Sequence, residues 1–181
     1  MSTEQYQAMA RYNSWINSRL VDATLTLSDE ERKRDLGAFF GSIHRTLNHV
    51  LLGDYVWMKR LTGGGQACTP LDAQGVEIGI QGLDHVLYDD FALYTARRRE
   101  LDGELLRFAE QLSESWLAET MSYANSKGVV RRHPRWWAVG HLFNHQTHHR
   151  GQVTAMLTRL GVDPGPTDLM VMQWSEAEAQ Q

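Results

Sequence analysis

His141-Leu142-Phe143-Asn144-His145-Gln146-Thr147-His148-His149 puts four imidazoles into nine residues. Pro134 lies ahead of this stretch, where a missing N–H costs a helix nothing, and Gly161 stands beyond Leu160 as a stop. The span between them predicts one long helix. At about 100° per residue from His141, Leu142 and Leu160 fall near 100°, Val153 near 120° and Met156 near 60°, so the core direction is near 100°. His149 falls at about 80° and His145 at about 40°, whereas His141 lies near 0° and His148 near −20°. His145 and His149 therefore point inward, one turn apart, and the other two lie toward the rim. A lone inward histidine is more often a hydrogen-bonded core residue than a ligand. Two of them at i and i+4, with Cβ atoms about 5–6 Å apart, can grip one ion through bonds of about 2.0–2.1 Å. Gln146 stands where a metalloprotease helix of the His-Glu-x-x-His type carries its glutamate base; an amide cannot take up a proton, which disfavours peptidase chemistry.

Outward from that helix, the same 3.6-residue period recurs. Residues 3–27 carry Tyr6, Met9, Tyr12, Ile16, Leu20 and Ala23 at spacings of three and four, with Thr3 as a candidate cap. Ser28 ahead of Asp29, Glu30 and Glu31 could cap one further short turn. A second long helix starts at Ala38 or Ser42 and runs to Leu61, apolar over more than one face and so expected to be central; Gly63-Gly64-Gly65 ends it. Residues 63–82 hold six glycines and Pro70 with little period, and read as an irregular crossover in which Cys68 is incidental. A third helix is expected over residues 83–112, on the stripe Leu87, Phe91, Tyr94, Leu101, Leu105, Phe108 and Leu112. Residues 117–123 and 129–132 alternate weakly around a turn-rich centre, as a small β-hairpin would. Beyond residue 161 the chain reads as a Pro-Gly tail. The expected fold is all-α: a four-helix bundle with a long crossover loop and a small β-hairpin before the last helix, one domain over residues 1–181.

Composition removes several classes. The net charge is −4, the pI is near 6.0, and basic runs such as Arg97-Arg98-Arg99 are short, so nucleic acid is not an expected partner. No stretch approaches the ~18 apolar residues of a membrane span. With a single cysteine there is no internal disulfide and no multi-cysteine metal site, which suits a reducing, cytoplasmic setting.

A bundle metal site needs a third ligand from a facing helix, and the second helix offers His44, His49 and Asp54; periodicity alone does not choose among them. Three segments bear on the choice. Gly41-Ser42-Ile43-His44-Arg45-Thr46-Leu47-Asn48-His49-Val50-Leu51-Leu52-Gly53-Asp54, the earlier Tyr12-Asn13-Ser14-Trp15-Ile16-Asn17, and Asn144-His145-Gln146-Thr147-His148-His149-Arg150-Gly151-Gln152 together resemble the DinB family, in order and spacing over nearly the whole chain. The resemblance implies a metal held by the histidine of the second helix's Leu-x-His element and by two histidines four apart in the fourth helix. By position these are His49, His145 and His149. His44, His85, His133, His141 and His148 are then outer-shell or surface groups, Arg150 a surface or anion-anchoring cation, and Trp57, Trp136 and Trp137 packing or a pocket wall.

Three imidazoles suit zinc, nickel, copper or iron, with zinc and nickel the expected ions, and they leave at least one position open. The resemblance implies a further role, since some related bundles use such a metal to activate a low-molecular-weight thiol for transfer or isomerisation. The family name reflects DNA-damage induction of an early member, and related bundles often dimerise through helix faces. The expected function is thus a divalent-metal-binding bundle with thiol S-transferase-like chemistry on a thiol or other small-molecule substrate. The alternatives are a metal-binding stress or sensor protein without turnover and, third, a metal-dependent hydrolase. No catalytic side chain is identified beyond the metal ligands.

Overall fold

The computed structural model describes residues 2–125 and 127–179, and helix makes up 62% of the chain. Helix α1 spans Thr3–Leu25 and is capped one residue earlier than expected: the Ser2 hydroxyl accepts the Gln5 N–H while the Gln5 side chain accepts the Ser2 N–H. Ser28 caps the short α2, Asp29–Lys33, by the same reciprocal pair with Glu31. Helix α3, Ile43–Thr62, begins on Ser42 and stops at Gly63, whose φ of 81° only glycine adopts without strain. Residues 38–41 are not part of that helix; an isolated bridge joins Ala38 to Gly41 and folds them into a tight turn.

The crossover is longer than its glycine content suggests. It includes a 3₁₀ turn, Gln66–Cys68, and a Leu71–Glu77 bridge, and it ends only at Asp90. Asp90 accepts the N–H groups of Ala92 and Leu93, so α4 is Phe91–Glu110 rather than a helix from residue 83: a strong N-cap overrides a period that extends back through Leu87. Cys68 is no loop ornament either, being buried beside the Thr62 hydroxyl. After the short α5, Glu114–Ala118, the expected hairpin is present as β1, Thr120–Ala124, antiparallel to β2, Val130–Pro134, with Thr120 opposite Pro134. Helix α6, Arg135–Arg159, follows directly. The supposed tail carries α7, Leu169–Glu178, which buries Met172 and pairs Glu176 with Arg11 at 3.2 Å. Among the described residues no helix is long and apolar enough to cross a membrane.

Helices α1, α3, α4 and α6 form the bundle, with α1 against α4 and α6, and α3 against α6 and α4. Their apolar faces meet in a core that includes Ile16, Leu20, Leu51, Leu52, Leu101, Leu142, Val153 and Leu157. The first three turns of α3 are buried nearly all round, as a central helix requires. One layer of this core is polar. Arg98 Nη1 donates to Asp54 Oδ2 at 2.6 Å, and its Nη2 lies 2.8 Å from Asp102 Oδ1. Asn13 and Asn17 donate to the same Asp102 carboxylate at 3.1 and 3.0 Å, and Arg150 donates to the side-chain oxygens of both. The arginine expected at the surface is therefore buried, and the Asn13 and Asn17 of the Tyr12-to-Asn17 segment are its partners.

Burial works against the charge of Arg98, but Asp102 and Asp54 outweigh it and hold the guanidinium above its ordinary value. Removing that cation leaves the buried Asp54 and Asp102 carboxylates without their shared counter-ion, Asp102 keeping only the amides of Asn13 and Asn17. Arg98→Met is expected to destabilise the fold by about 3–5 kcal/mol in urea denaturation; a loss below about 1 kcal/mol would contradict an ion pair that ties α3 to α4.

Candidate metal centre

His49 projects from the second turn of α3, and His145 and His149 from successive turns of α6. One ring nitrogen from each lies within 4.8 Å of those of the other two. His49 Nε2 and His145 Nε2 are 3.0 Å apart, and the His49 and His149 rings meet edge to face at 4.6 Å. Three bonds of about 2.0–2.1 Å at a tetrahedral ion set their nitrogens about 3.3 Å apart, a spacing that the His49–His145 pair already approaches. The exposures follow the helical wheel: His149 is buried, His145 half-buried, and His141 and His148 exposed. His49 is buried as well, because α3 is enclosed on all sides there.

Two of the three rings are oriented by acceptors that periodicity did not reveal. His49 Nδ1 donates to the Leu83 carbonyl at 2.7 Å, and His149 Nδ1 donates to Gln152 Oε1 at 2.8 Å. Each bond places the proton on Nδ1 and leaves the Nε2 lone pair for the cluster. His145 Nδ1 is buried without a partner, and its ring lies over Gly53, where a Cβ would stand 2.9 Å from His145 Cε1. Gly53 is thus the floor that lets α6 bring this imidazole against α3. Phe40, in the turn before α3, stacks on the His49 ring at 4.0 Å.

Burial holds all three imidazoles below their ordinary range. For His145, burial and then the His149 and His49 rings push the value down to about 3. The rings are therefore neutral at physiological pH, with lone pairs free to coordinate.

The other candidates lie elsewhere. Asp54, the alternative third ligand, spends its carboxylate on Arg98. Gln146 turns away from the three rings into the core, where its buried amide faces Asp54 without reaching ordinary hydrogen-bond geometry. His44 is buried, 3.4 Å from the Asn48 amide and 3.9 Å from Asp89. His85 Nδ1 accepts from the Gln81 N–H, and His133 Nδ1 contacts the Pro134 carbonyl. Trp136 and Trp137 stack on each other at 4.5 Å and are exposed, so they do not seal the cluster. Trp57 packs on His141 at 5.0 Å, one turn along α6 from His145.

The two Nδ1 bonds are open to a direct test. Long-range ¹H–¹⁵N correlation of the metal-free protein at neutral pH is expected to find His49 and His149 as Nδ1–H tautomers. An Nε2–H signature on His49 would contradict the bond to Leu83.

Comparison with known proteins agrees with the segments that suggested the site. Protein DinB of Bacillus subtilis (strain 168) is 27% identical over 157 residues, an alignment covering 87% of this chain and 87% of that protein. The family model described as DinB family matches residues 1–181, the full length of the sequence, and the chain belongs to the DinB family.

Proposed function

We propose that His49, His145 and His149 hold one divalent metal ion, zinc or nickel, and that the protein uses it as a thiol-linked, S-transferase-like enzyme on a small-molecule substrate. The observation that carries the metal reading is the convergence of three neutral imidazoles, two with Nδ1 already committed to other acceptors. Among the described residues no fourth protein ligand belongs to the group, and Asp54, the carboxylate of α3, is held by Arg98. Three protein ligands with a free position are the arrangement of a catalytic rather than a structural site. When bound there, such a metal lowers the pKa of a coordinated thiol, so that the thiolate, the better nucleophile, is present at neutral pH.

The chain's own residues supply the rest. Leu83 and Gln152 orient the ligands, Gly53 and Phe40 set the position of two rings, and the low-dielectric surroundings keep the imidazoles unprotonated. Among the described residues no carboxylate belongs to the group, and Gln146 is an amide facing the core, which disfavours the hydrolase reading. A metal-binding stress or sensor protein without turnover is the competing reading, favoured by the low exposure of His49 and His149, 6% and 7%, which narrows access to the ion. The single cysteine supports a cytoplasmic setting and the family resemblance a homodimer, and exposed Trp136, Trp137, Trp174 and Met170 supply apolar surface for such an interface.

Metal content decides the first half. Alanine at His49, His145 or His149 is expected to empty the site in elemental analysis, whereas His141→Ala or His148→Ala lowers affinity by at most about 10–100-fold; equal occupancy in wild type and His149→Ala would refute the assignment. Gly53→Ala is expected to weaken metal binding while the helical circular dichroism is retained, since its Cβ displaces the His145 ring. The second half rests on the free position. Cobalt-substituted protein mixed with a millimolar thiol is expected to develop an intense sulfur-to-metal charge-transfer band that is absent from His149→Ala, and its absence from wild type would leave metal binding without thiol chemistry.

A further inference from the structure

Phe40 lies against two of the three clustered imidazoles, stacked on His49 at 4.0 Å and tilted toward His149 at 5.6 Å. On its other side Phe39 meets it edge to face at 4.9 Å and is 84% exposed. Exposure therefore rises in steps along this line, from buried His49 and His149 through half-buried Phe40 to Phe39 in solvent. On this side of the cluster, a single ring stands between two of the imidazoles and water.

The backbone beneath that ring is held firmly, and the ring itself is not. The Leu36 N–H donates to the Gly41 carbonyl at 2.7 Å, the Gly41 N–H to the Ala38 carbonyl at 2.8 Å and the Ser42 N–H to the Phe40 carbonyl at 3.0 Å. Arg159 of α6 donates to the Leu36 carbonyl at 2.9 Å, which ties the turn to the helix that carries His145 and His149. Swinging the whole turn away would break these bonds together. Rotation of the Phe40 side chain between its staggered positions breaks none of them. It gives up the ring contacts with His49 and His149 and moves the ring toward the side where Phe39 is already in solvent.

We propose that Phe40 is a side-chain gate on the histidine cluster. Closed, its ring keeps water and small molecules from His49 and His149; rotated outward, it admits them to the position that the three imidazoles leave open. Two contacts of aromatic size hold the ring in place, which favours the closed form about tenfold. The low exposure of His49 and His149 is then a property of the closed gate rather than of a sealed site. The gate belongs to the cluster with or without an ion, and only its consequence for access to the ion rests on the metal reading above.

Two probes test the gate, one without an ion and one with it. Diethylpyrocarbonate acylates the free nitrogen of a neutral imidazole, and peptide mass analysis of metal-free protein reads its rate at each histidine. His49 and His149 are expected to react about tenfold faster in Phe40→Ala than in wild type, with Phe40→Leu in between. The exposed His141 and His148 are expected to react alike in all three proteins, and His44, buried against Phe91, to stay slow, which shows that the variants are folded. In cobalt-loaded protein, dipicolinate must reach the ion before removing it. The part of the removal rate that grows with dipicolinate concentration is expected to rise about tenfold in Phe40→Ala, with spontaneous loss of cobalt changing less. Equal acylation of His49 and His149 in wild type and Phe40→Ala overturns the gate. So does a gain seen only in spontaneous cobalt loss, since the ring would then be packing that steadies His49. A wild type that takes up no cobalt, while Phe40→Ala still opens His49 and His149 to acylation, keeps the gate and overturns the metal reading instead.

Discussion

Arg98 bridges Asp54 and Asp102 in the middle of the bundle, and the placement of the three histidines follows from that bridge. Asp54 lies just over one turn beyond His49 on α3, and Arg150 is the residue after His149 on α6. With Asn13 and Asn17 of α1 and Asp102 of α4, these side chains join all four long helices through charges that no solvent can screen. A shift of any helix by a single residue would strand a buried charge, at a cost far above that of an apolar mismatch. The apolar core supplies most of the driving force for folding, but apolar contacts tolerate sliding; the ionic layer does not. A cluster that needs three rings from two helices to agree within a fraction of an ångström stands next to this layer.

The ring orientations show a second level of control. Neutral histidine has two tautomers, and a site that leaves the choice open divides its population between a coordinating and a non-coordinating form. Here a backbone carbonyl and a side-chain amide settle the matter for His49 and His149. Burial removes the protonated alternative as well, most strongly for the half-buried His145, which has two other imidazoles close by. The position of Gly53 belongs to the same design: a bundle whose helices kept ordinary side-chain separation could not bring the His145 ring over the α3 backbone.

Much of this architecture is legible in the sequence because a helix repeats its signal over many turns. The periods of α1, α3, α4 and α6 are strong, and the wheel of α6 separates inward His145 and His149 from outward His141 and His148 on angle alone. Features that depend on one or two residues are harder to see. Asp90 ends the crossover by a capping bond that competes with an apolar period, and Gly41, at a φ of 79°, turns the chain just after Phe40 and so keeps that ring outside α3. Helix α7 buries little beyond Met172, so its pattern is faint. Choosing His49 over His44 and Asp54 is a tertiary matter: both rivals are buried on the same helix, and only their partners show them to be engaged. The role of Asn13, Asn17 and Arg150 was invisible for the same reason, since their meeting involves residues far apart in the chain.

The hydrogen bond from His49 to Leu83 joins the least regular stretch of the chain to its most constrained one. Just after it, Asn48 holds the backbone of Tyr88 through both its N–H, at 2.9 Å, and its carbonyl, at 3.2 Å, so the returning chain is moored to α3 on both sides of its last turns. This divides the connection into two evolutionary regimes. Upstream of the mooring, insertions and deletions change only the length of a surface excursion, which costs little because loop-closure entropy grows slowly with length. From residue 83 onward, the path of the backbone itself sets the orientation of the His49 ring. Divergence within the family should therefore concentrate its gaps in the first part of the crossover and stop abruptly where the chain meets the histidine.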